Sequence, residues 1–233
     1  RFTRHGARVM RSGLDRCRDA DLVLCPSTAT IDRLVDLAFD PGRLRHVPWG
    51  VTPVEVSDRD RARVVDAYRL PDRFVLFVGT IEPRKNLARL ALATARLPMP
   101  LVVVGPAGWG EMSPVPGDVR FLGHVAALDL PAIYAVAAVM AYPSLEEGFG
   151  MPVLEAMAQG APVVTSRGTA TEEVADGAAV LVNATDEASI VAGLAAAIDD
   201  ASRLSAAGRE RAAIMTWDAA VERTIEAYRE AAA

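Results

Sequence analysis

The stretch "VMAYPSLEEGFGMPVLEAMAQGAPVVTS", residues 139–166, contains an apolar run, a glycine-rich loop, a helical pattern and a second apolar run. Pro152 suits the first helical position, where its missing N–H costs nothing, and Gly160 suits the helix end. Gly148 and Gly150 would allow backbone shapes and close approaches that a side chain blocks. The stretch therefore predicts a strand, a loop, and a helix that leads to a second strand.

The same alternation extends along the chain. Apolar runs lie at 21–25, 45–49, 73–79, 100–105, 118–123, 138–144, 161–166 and 178–182, and helical patterns lie near 27–38, 59–69, 86–97, 128–137, 152–159 and 186–198. Near-continuous apolar strands that alternate with helices are typical of a parallel sheet covered on both faces. The predicted fold class is α/β, with a Rossmann-like parallel sheet and helices on both faces. Such sheets bind ligands at the carboxyl ends of their strands.

The pattern also predicts how the chain is divided. Residues 1–50 hold an opening helix and one strand–helix–strand unit, too little for an independent core, and 51–70 read as a linker that runs into a helix. A main domain is expected over 71–215. Residues 216–233 predict a long amphipathic helix whose apolar residues share one face: Trp217, Val221, Ile225 and Tyr228.

Composition limits the function classes. Hydrophobic residues make up 51% of the 233 residues and charged residues 24%, which predicts a folded core. A net charge of −5 argues against a general nucleic-acid binder and a broad cationic membrane surface. Cys17 and Cys25 read as free thiols of a cytoplasmic protein. Because His5, His46 and His124 are scattered, no metal site is predicted.

The loop before the 152–159 helix is a candidate anion site. A helix N-terminus favours anions, and this one would direct backbone amides at a phosphate. The amides concerned are those of Gly150, Met151, Val153 and Leu154. Glu147 in the loop and Glu155 in the first helical turn are both expected to face one cleft. Carboxylates accept hydrogen bonds, so their partners would be sugar or ribose hydroxyls.

A second motif, "VGTIEPRKNL" at 78–87, follows the run 73–79. Arg84 and Lys85 would lie at the carboxyl end of that strand, ahead of a helix that begins near Asn86. A guanidinium fork and a mobile ammonium both suit a diphosphate. Hydrogen bonds to charged partners contribute about 1.5–3 kcal/mol each, against roughly 0.3–1 kcal/mol for a helix dipole. The two cations are therefore the predicted main source of phosphate affinity.

These two motifs, in this order and strand context, resemble the C-terminal donor-binding domain of retaining glycosyltransferase family 4, which has the GT-B architecture. The Glu-x7-Glu motif of that family matches Glu147 and Glu155. The stretch "DLVLCPSTATIDRLVDLAFDPGRLRHVPWGV" (21–51) resembles the closing part of its N-terminal domain. The resemblance implies that residues 1–50 are the end of an acceptor domain otherwise absent from this sequence, and that the last helix crosses back to it.

The resemblance also implies a nucleoside-diphosphate sugar as co-substrate, with no cofactor and no metal. Arg84 and Lys85 would hold the diphosphate and stabilise the leaving group, and Glu147, the third catalytic residue, would hold a donor-sugar hydroxyl. Glu155 would bind the ribose. The other implied donor-binding positions are Gly79, Thr80, His124, Val125, Phe149, Gly150, Met151, Val153 and Leu154. Many family members have arginine where this chain has Thr80, so phosphate binding would depend more on Arg84 and Lys85.

Enzymes of this kind move a sugar with retained configuration, by same-face attack that the departing phosphate assists. The acceptor would be a glycan, a lipid or a small molecule. Variants of "GTIEPRKNL" in the family are associated with mannosyl transfer, which favours GDP-mannose as the donor. No nucleic-acid partner is expected, and membrane contact is expected only through the part of the acceptor domain outside this sequence.

Three other functions fit the sequence less well. "GPAGWG" (105–110) has its glycines in the wrong order for a dinucleotide-binding fingerprint. A metal-dependent glycosyltransferase of the other fold would use an Asp-x-Asp pair at the end of a strand, but the pair at 19–21 precedes a strand. A glycosidase also needs two carboxylates, but it has no use for a phosphate-binding site. Two alternatives stay open, a nucleotide-sugar binding module and an epimerase of GT-B shape, both without transfer activity.

Overall fold

A computed structural model describes residues 4–108 and 115–233. Residues 1–3 of the predicted opening helix and the last two residues of "GPAGWG" lie outside these ranges. In chain order the elements are α1 Arg4–Arg18, β1 Val23–Cys25, α2 Thr28–Asp36, β2 Leu44–His46, α3 Asp58–Ala67, β3 Val75–Val78, α4 Leu87–Thr94, β4 Leu101–Val104, β5 Val119–Gly123, α5 Leu130–Val136, β6 Val139–Tyr142, α6 Met151–Ala158, β7 Val163–Ser166, α7 Ala170–Ala175, β8 Val180–Val182, α8 Glu187–Asp199, α9 Ala201–Ile214 and α10 Trp217–Ala231. All eight predicted strands are confirmed.

Six strands form one parallel sheet in the order β5-β4-β3-β6-β7-β8. Every residue of β3, β4, β6 and β7 is buried. Since successive side chains of a strand point to opposite faces, complete burial means that both faces of the sheet are covered. Helices α4 and α8 pack against each other, as do α6 and α9. The predicted α/β fold with helices on both faces is confirmed.

The strand order places β3 beside β6, although β4 and β5 lie between them in the chain. On one side of this pair the strands run outward through β4 and β5, and on the other through β7 and β8. The β3–β6 boundary is thus the topological switch point, where doubly wound sheets bind ligands. The loops at 79–86 and 143–150 leave the carboxyl ends of these two strands, so the fold brings both sequence motifs to this point.

Residues 4–47, called here the small unit, form a separate parallel pair of β1 and β2 with α1 and α2. Cys25, Phe39 and Leu44 form its small core. Residues 50–57 contain no helix or strand and lead into α3. The helix α10 contacts the small unit, where Arg45 Nε donates to Glu230 Oε2 at 2.8 Å.

Two helices were not predicted, α7 and α9. The first has only 6 residues, too few to show a helical period. The second is rich in alanine, serine and glycine, so its apolar face is weakly marked in the sequence. Its Gly208 lies against Met157 of α6, and this close packing suits a residue without a side chain.

The start of α6 differs from the prediction. Met151 is the first helical residue and Pro152 the second, because Gly150 takes a left-handed conformation (φ 107°) and begins the helix one residue early. Glu155 is therefore in the second turn and not in the first. Gly160 follows the helix in a left-handed conformation (φ 72°), as a helix stop requires.

No helix within residues 4–108 and 115–233 combines the length and the apolar character needed to span a bilayer.

Candidate active site

Arg84, Lys85 and Glu147 meet at the switch point. A single turn of 3-10 helix, Pro83–Lys85, carries the two cations beyond β3, and the loop after β6 carries Glu147. Arg84 Nη1 donates to Glu147 Oε1 at 2.9 Å, and Lys85 Nζ donates to the same oxygen at 2.5 Å. The structure thus brings together the three residues predicted to be catalytic, although 62 residues separate Lys85 from Glu147 in the chain.

Lys85 is buried, with 8% of its side chain exposed, as is the side chain of Glu147. Its ammonium also donates to the hydroxyl of Tyr142 and lies 4.5 Å from the centroid of that ring. Burial lowers the pKa of Lys85, while the Glu147 carboxylate opposes this effect. Burial, reinforced by Glu147, raises the pKa of Tyr142. An ammonium in this position is costly unless an anion accompanies it.

Arg84 is more accessible, with 40% of its side chain exposed. Nε donates to Glu82 at 2.8 Å and Nη1 also donates to the carbonyl of Glu146 at 3.2 Å. Burial acts to lower the pKa of Arg84, but Glu147 and Glu82 outweigh it and hold that pKa above its ordinary value. The guanidinium stays charged and presents part of its surface to solvent, as a phosphate-binding group should.

A cavity of about 610 Å³, called here the front cavity, opens between this cluster and the small unit. Arg84, Glu147 and Gly148 line it from the sheet, and Thr30 and Arg33 line it from α2. Its volume falls within the range of ligand sites for small molecules.

Glu155 lies elsewhere. It accepts a hydrogen bond of 2.9 Å from the hydroxyl of fully buried Tyr134, on α5. Burial raises the pKa of Glu155, although the Tyr134 hydrogen bond works against this. Glu155 lines a second cavity of about 370 Å³, called here the rear cavity, together with Met151 and Trp217. Glu147 lines the front cavity and Glu155 the rear cavity, so the two carboxylates do not share one cavity. That they face one cleft stays a prediction.

The amides at the start of α6 are partly occupied. Val153 N and Leu154 N donate to the carbonyl of Gly150, at 2.9 and 3.4 Å. Both side chains are buried, and Phe149 is buried too. A phosphate at Val153 or Leu154 would therefore compete with the Gly150 carbonyl, which weakens the interpretation of these amides as phosphate ligands.

The remaining predicted positions surround the cluster without joining it. Gly79 and Thr80 follow β3, and Gly79 N donates to Val104 O at 2.9 Å. His124 is exposed and Val125 is buried, both just beyond β5. Since β5 lies two strands from β3 and neighbouring strands are about 4.8 Å apart, these two residues lie roughly 10 Å to one side of the β3 end. They remain candidates for the far end of a long ligand.

Sequence reasoning missed several residues that shape this site. Asn86, in a left-handed conformation, donates from Nδ2 to Pro143 O at 3.0 Å and to Ala184 O at 2.7 Å, which joins the loops after β3, β6 and β8. Its position directly after "RK", at a helix start, was the available signal. No pattern in the sequence marked Tyr134 or Tyr142, because each reads as an ordinary core aromatic.

Solved structures resemble this one closely in shape. An Anabaena protein, HepE, crystallised with UDP and glucose, matches with a TM-score of 0.83 at 20% identity, over 98% of this chain and 68% of that one. Sucrose-phosphate synthase of Thermosynechococcus elongatus matches with a TM-score of 0.79 at 25% identity, over 96% of this chain and 61% of that one. These likenesses in shape confirm the predicted GT-B fold.

Sequence relatives agree with the structures. O-antigen chain mannosyltransferase B of Escherichia coli is 36% identical over 184 residues, which cover 71% of this chain and 48% of that protein. D-inositol 3-phosphate glycosyltransferase of Salinispora arenicola is 34% identical over 251 residues, which cover 92% of this chain and 56% of that protein. The chain thus spans about half the length of these relatives. The profile of the family described as "Glycosyl transferases group 1" matches residues 72–200, and the chain belongs to that family.

Proposed function

We propose that this chain is the donor-binding part of a glycosyltransferase that uses a nucleoside-diphosphate sugar. The observation that carries the proposal is the cluster of Arg84, Lys85 and Glu147 at the β3–β6 switch point. Two cations placed where doubly wound sheets bind ligands suit a diphosphate. Membership of the family supports the same activity.

Glu147 has a specific part in this proposal. Two carboxylates, Glu82 and Glu147, face the two cations, so the formal charges of the cluster cancel. A diphosphate that takes over Arg84 and Lys85 would free the Glu147 carboxylate to accept a hydrogen bond from a hydroxyl of the donor sugar. Glu147 thereby keeps Lys85 compensated until the donor arrives.

The nucleoside is assigned to the other glutamate. Glu155 is the carboxylate among the residues that line the rear cavity, and Trp217 lines it too. Its carboxylate would accept hydrogen bonds from the ribose hydroxyls. The donor would then pass over the start of α6, with its two ends on either side of the Gly148–Met151 backbone.

The proposed reaction proceeds with retention of configuration and without a metal ion. The bond between the anomeric carbon and the diphosphate oxygen breaks, and the acceptor hydroxyl attacks the same face of the sugar. The acceptor proton passes to the departing phosphate. Arg84 and Lys85 would stabilise the charge that develops on the leaving group, the role that a divalent cation has elsewhere. The acceptor is a glycan, a lipid or a small molecule.

GDP-mannose is the proposed donor. The "GTIEPRKNL" motif favours mannosyl transfer, and one of the relatives named above is a mannosyltransferase. The competing donor is a UDP-sugar, since HepE was crystallised with UDP and glucose.

Calorimetric titration with GDP, UDP and ADP, each beside its monophosphate, tests the proposal. We expect one diphosphate to bind at least tenfold more tightly than its monophosphate. Lys85→Met should remove most of that difference. Arg33→Gln is the matched control, because Arg33 lines the same front cavity at 69% side-chain exposure and pairs with Glu146 instead of Glu147. Equal binding of diphosphate and monophosphate would contradict the assignment of the cations.

The two open alternatives are separated by product analysis. A sugar nucleotide that contains the nucleoside diphosphate found to bind is incubated with the protein, with and without candidate acceptors. Transfer releases the nucleoside diphosphate only when an acceptor is present. An epimerase would convert the sugar nucleotide without an acceptor, and a binding module would return it unchanged.

A further inference from the structure

We propose that the small unit positions the catalytic loop, which is the loop at 143–150 that carries Glu147. Ser27 and Thr30 are the residues of the small unit that position this loop. Both lie at the start of α2, more than a hundred residues before the loop in the chain. Their hydroxyls converge on one acceptor, the carbonyl of Gly148, which directly follows Glu147. The catalytic meaning of this contact rests on the proposed function, while the contact itself does not.

Ser27 is completely buried, and its hydroxyl serves two purposes. The oxygen accepts from Thr30 N at 3.1 Å, which caps α2. The single hydroxyl proton can serve one acceptor, and Gly148 O at 2.7 Å is nearer than Thr30 Oγ1 at 3.0 Å. The same side chain therefore begins the helix and holds the loop.

Thr30 supplies the second hydrogen bond, from Oγ1 to Gly148 O at 2.9 Å. A further contact follows at the next residue, since the ring of Trp49 lies 5.4 Å from that of Phe149. Trp49 comes shortly after β2, so this contact also reaches the loop from the N-terminal side of the chain.

The loop needs these contacts because Gly148 has no side chain that would restrict its own backbone. A Cβ at Gly148 would meet Thr30 Oγ1 at 3.8 Å, an ordinary contact, so the neighbouring atoms leave this residue room to move. Glycine is the residue with the largest conformational freedom to lose. Two hydrogen bonds to its carbonyl restrict the peptide between Gly148 and Phe149. Because Gly148 directly follows Glu147, this also limits how far the carboxylate can move from Arg84 and Lys85.

Hydrogen exchange tests the contact directly. In the double variant Ser27→Ala/Thr30→Val, we expect amides of residues 144–151 to exchange at least tenfold faster than in the parent. Thr30→Val alone is isosteric and leaves the Ser27 cap in place, so a smaller increase is expected, and Thr30→Ser should restore the parent rate. Thr28→Val is the matched control, because Thr28 lies between the two residues yet its hydroxyl donates to Glu173 at 2.5 Å.

Nucleotide binding then tests the catalytic meaning. The double variant should lose affinity for the diphosphate at least fivefold and keep its affinity for the monophosphate, because the nucleoside end is bound elsewhere. Thr28→Val should keep both. A general loss of structure in the double variant would instead weaken its binding of both the diphosphate and the monophosphate.

The outcomes are separable. Unchanged exchange of residues 144–151 in the double variant overturns the inference, whatever the protein binds. Faster exchange with unchanged diphosphate affinity overturns the catalytic role of the two hydroxyls. If the parent binds no diphosphate, the proposed function fails, while faster exchange would still support the positioning of the loop.

Discussion

Lys85 and Glu147 are a buried ion pair whose value to this protein lies in binding. Removing two charges from water costs free energy that their attraction only partly returns. Tyr142 and Arg84 reduce that cost by adding a hydrogen-bond acceptor to Lys85 and a second donor to Glu147. At the residue scale, the cluster is an arrangement that folding alone would not favour, as is common at functional sites.

Two glycines of the same loop should respond differently to alanine. Gly150 has φ 107°, and a Cβ there would lie 2.5 Å from the methyl of buried Thr171. We expect Gly150→Ala to lower the free energy of unfolding by roughly 2–4 kcal/mol, through backbone strain and overpacking. Gly148→Ala should change it by less than about 1 kcal/mol, since Gly148 lacks both restrictions. Urea denaturation measures both, and equal losses would contradict this account.

This difference corrects one expectation from the sequence. Both glycines were expected to be required by backbone shape or close approach. The structure requires glycine at position 150 but not at position 148. Of the two, only Gly150 lies against the side chain of Thr171 and has a left-handed backbone.

Glu155 should make stability depend on pH. Burial raises its pKa above the ordinary 4.5, so the folded state keeps the proton in a range where the unfolded state has lost it. The stability from this group is complete below about pH 4.5 and is lost as pH rises through the folded pKa. Relative to Glu155→Gln, the parent should therefore become less stable from pH 4.5 to 7. Urea denaturation across that range measures the difference.

The exposed Glu210 provides the control for this measurement. The difference between the parent and Glu210→Gln should change little over the same range. If the difference in stability between the parent and Glu155→Gln is equally constant across this pH range, the Glu155 carboxyl is not desolvated as described. Because Gln keeps the shape of the Glu155 side chain but not its charge, Glu155→Gln should also bind the nucleotide less tightly.

At the scale of elements, both helices that follow the switch-point strands start from a left-handed residue. Asn86 precedes α4 with φ 60°, and Gly150 precedes α6 with φ 107°. Neither start uses a side-chain cap, whereas α2, α3, α7, α8 and α10 all do. A left-handed residue turns the chain sharply, so each loop changes direction directly before its helix begins.

Asn86 allows this account to be tested. Asn86→Ala should lose the hydrogen bonds to Pro143 and Ala184 and also incur the left-handed strain, a loss of roughly 3 kcal/mol in the free energy of unfolding. Asn86→Gly loses the same hydrogen bonds without the strain and should be more stable than Asn86→Ala by about 1 kcal/mol. Chemical denaturation of both variants gives the comparison. If Asn86→Ala and Asn86→Gly were equally stable, backbone strain would not be important at this helix start.

At the scale of the whole molecule, residues 50 and 51 pack directly against the backbone at the start of α10. A Cβ at Gly50 would lie 2.1 Å from the backbone of Thr216 and Trp217, and Val51 N donates to Met215 O at 2.9 Å. We expect Gly50→Ala to cost about 3 kcal/mol or more, because backbone atoms cannot move aside. Thermal and urea unfolding should both report the loss.

The ion pair between Arg45 and Glu230 provides the contrast. It joins the small unit to the same helix, but its side chains are 32% and 50% exposed. Arg45→Gln should change stability by less than about 1 kcal/mol, since exposed pairs contribute little. If Arg45→Gln were as costly as Gly50→Ala, charge and not close packing would hold α10 in place.

The sequence alone determined the fold class and the identity of the cationic cluster. Local pattern is sufficient for this, because apolar runs report burial on both faces of a strand, and parallel strands end at a common edge. From that, Arg84, Lys85 and Glu147 could be assigned to one edge. The same reasoning could not detect the six-residue α7 or the alanine-rich α9, whose patterns are too short or too weak.

Only the tertiary structure decided the contacts between distant segments. It placed Glu155 beside Tyr134 of α5 and in a different cavity from Glu147. It also brought Ser27 and Thr30 to the carbonyl of Gly148. Such contacts depend on how whole elements pack, and no local sequence period encodes them. Residue types and spacing thus specified which groups were available for binding, and packing specified which of them meet.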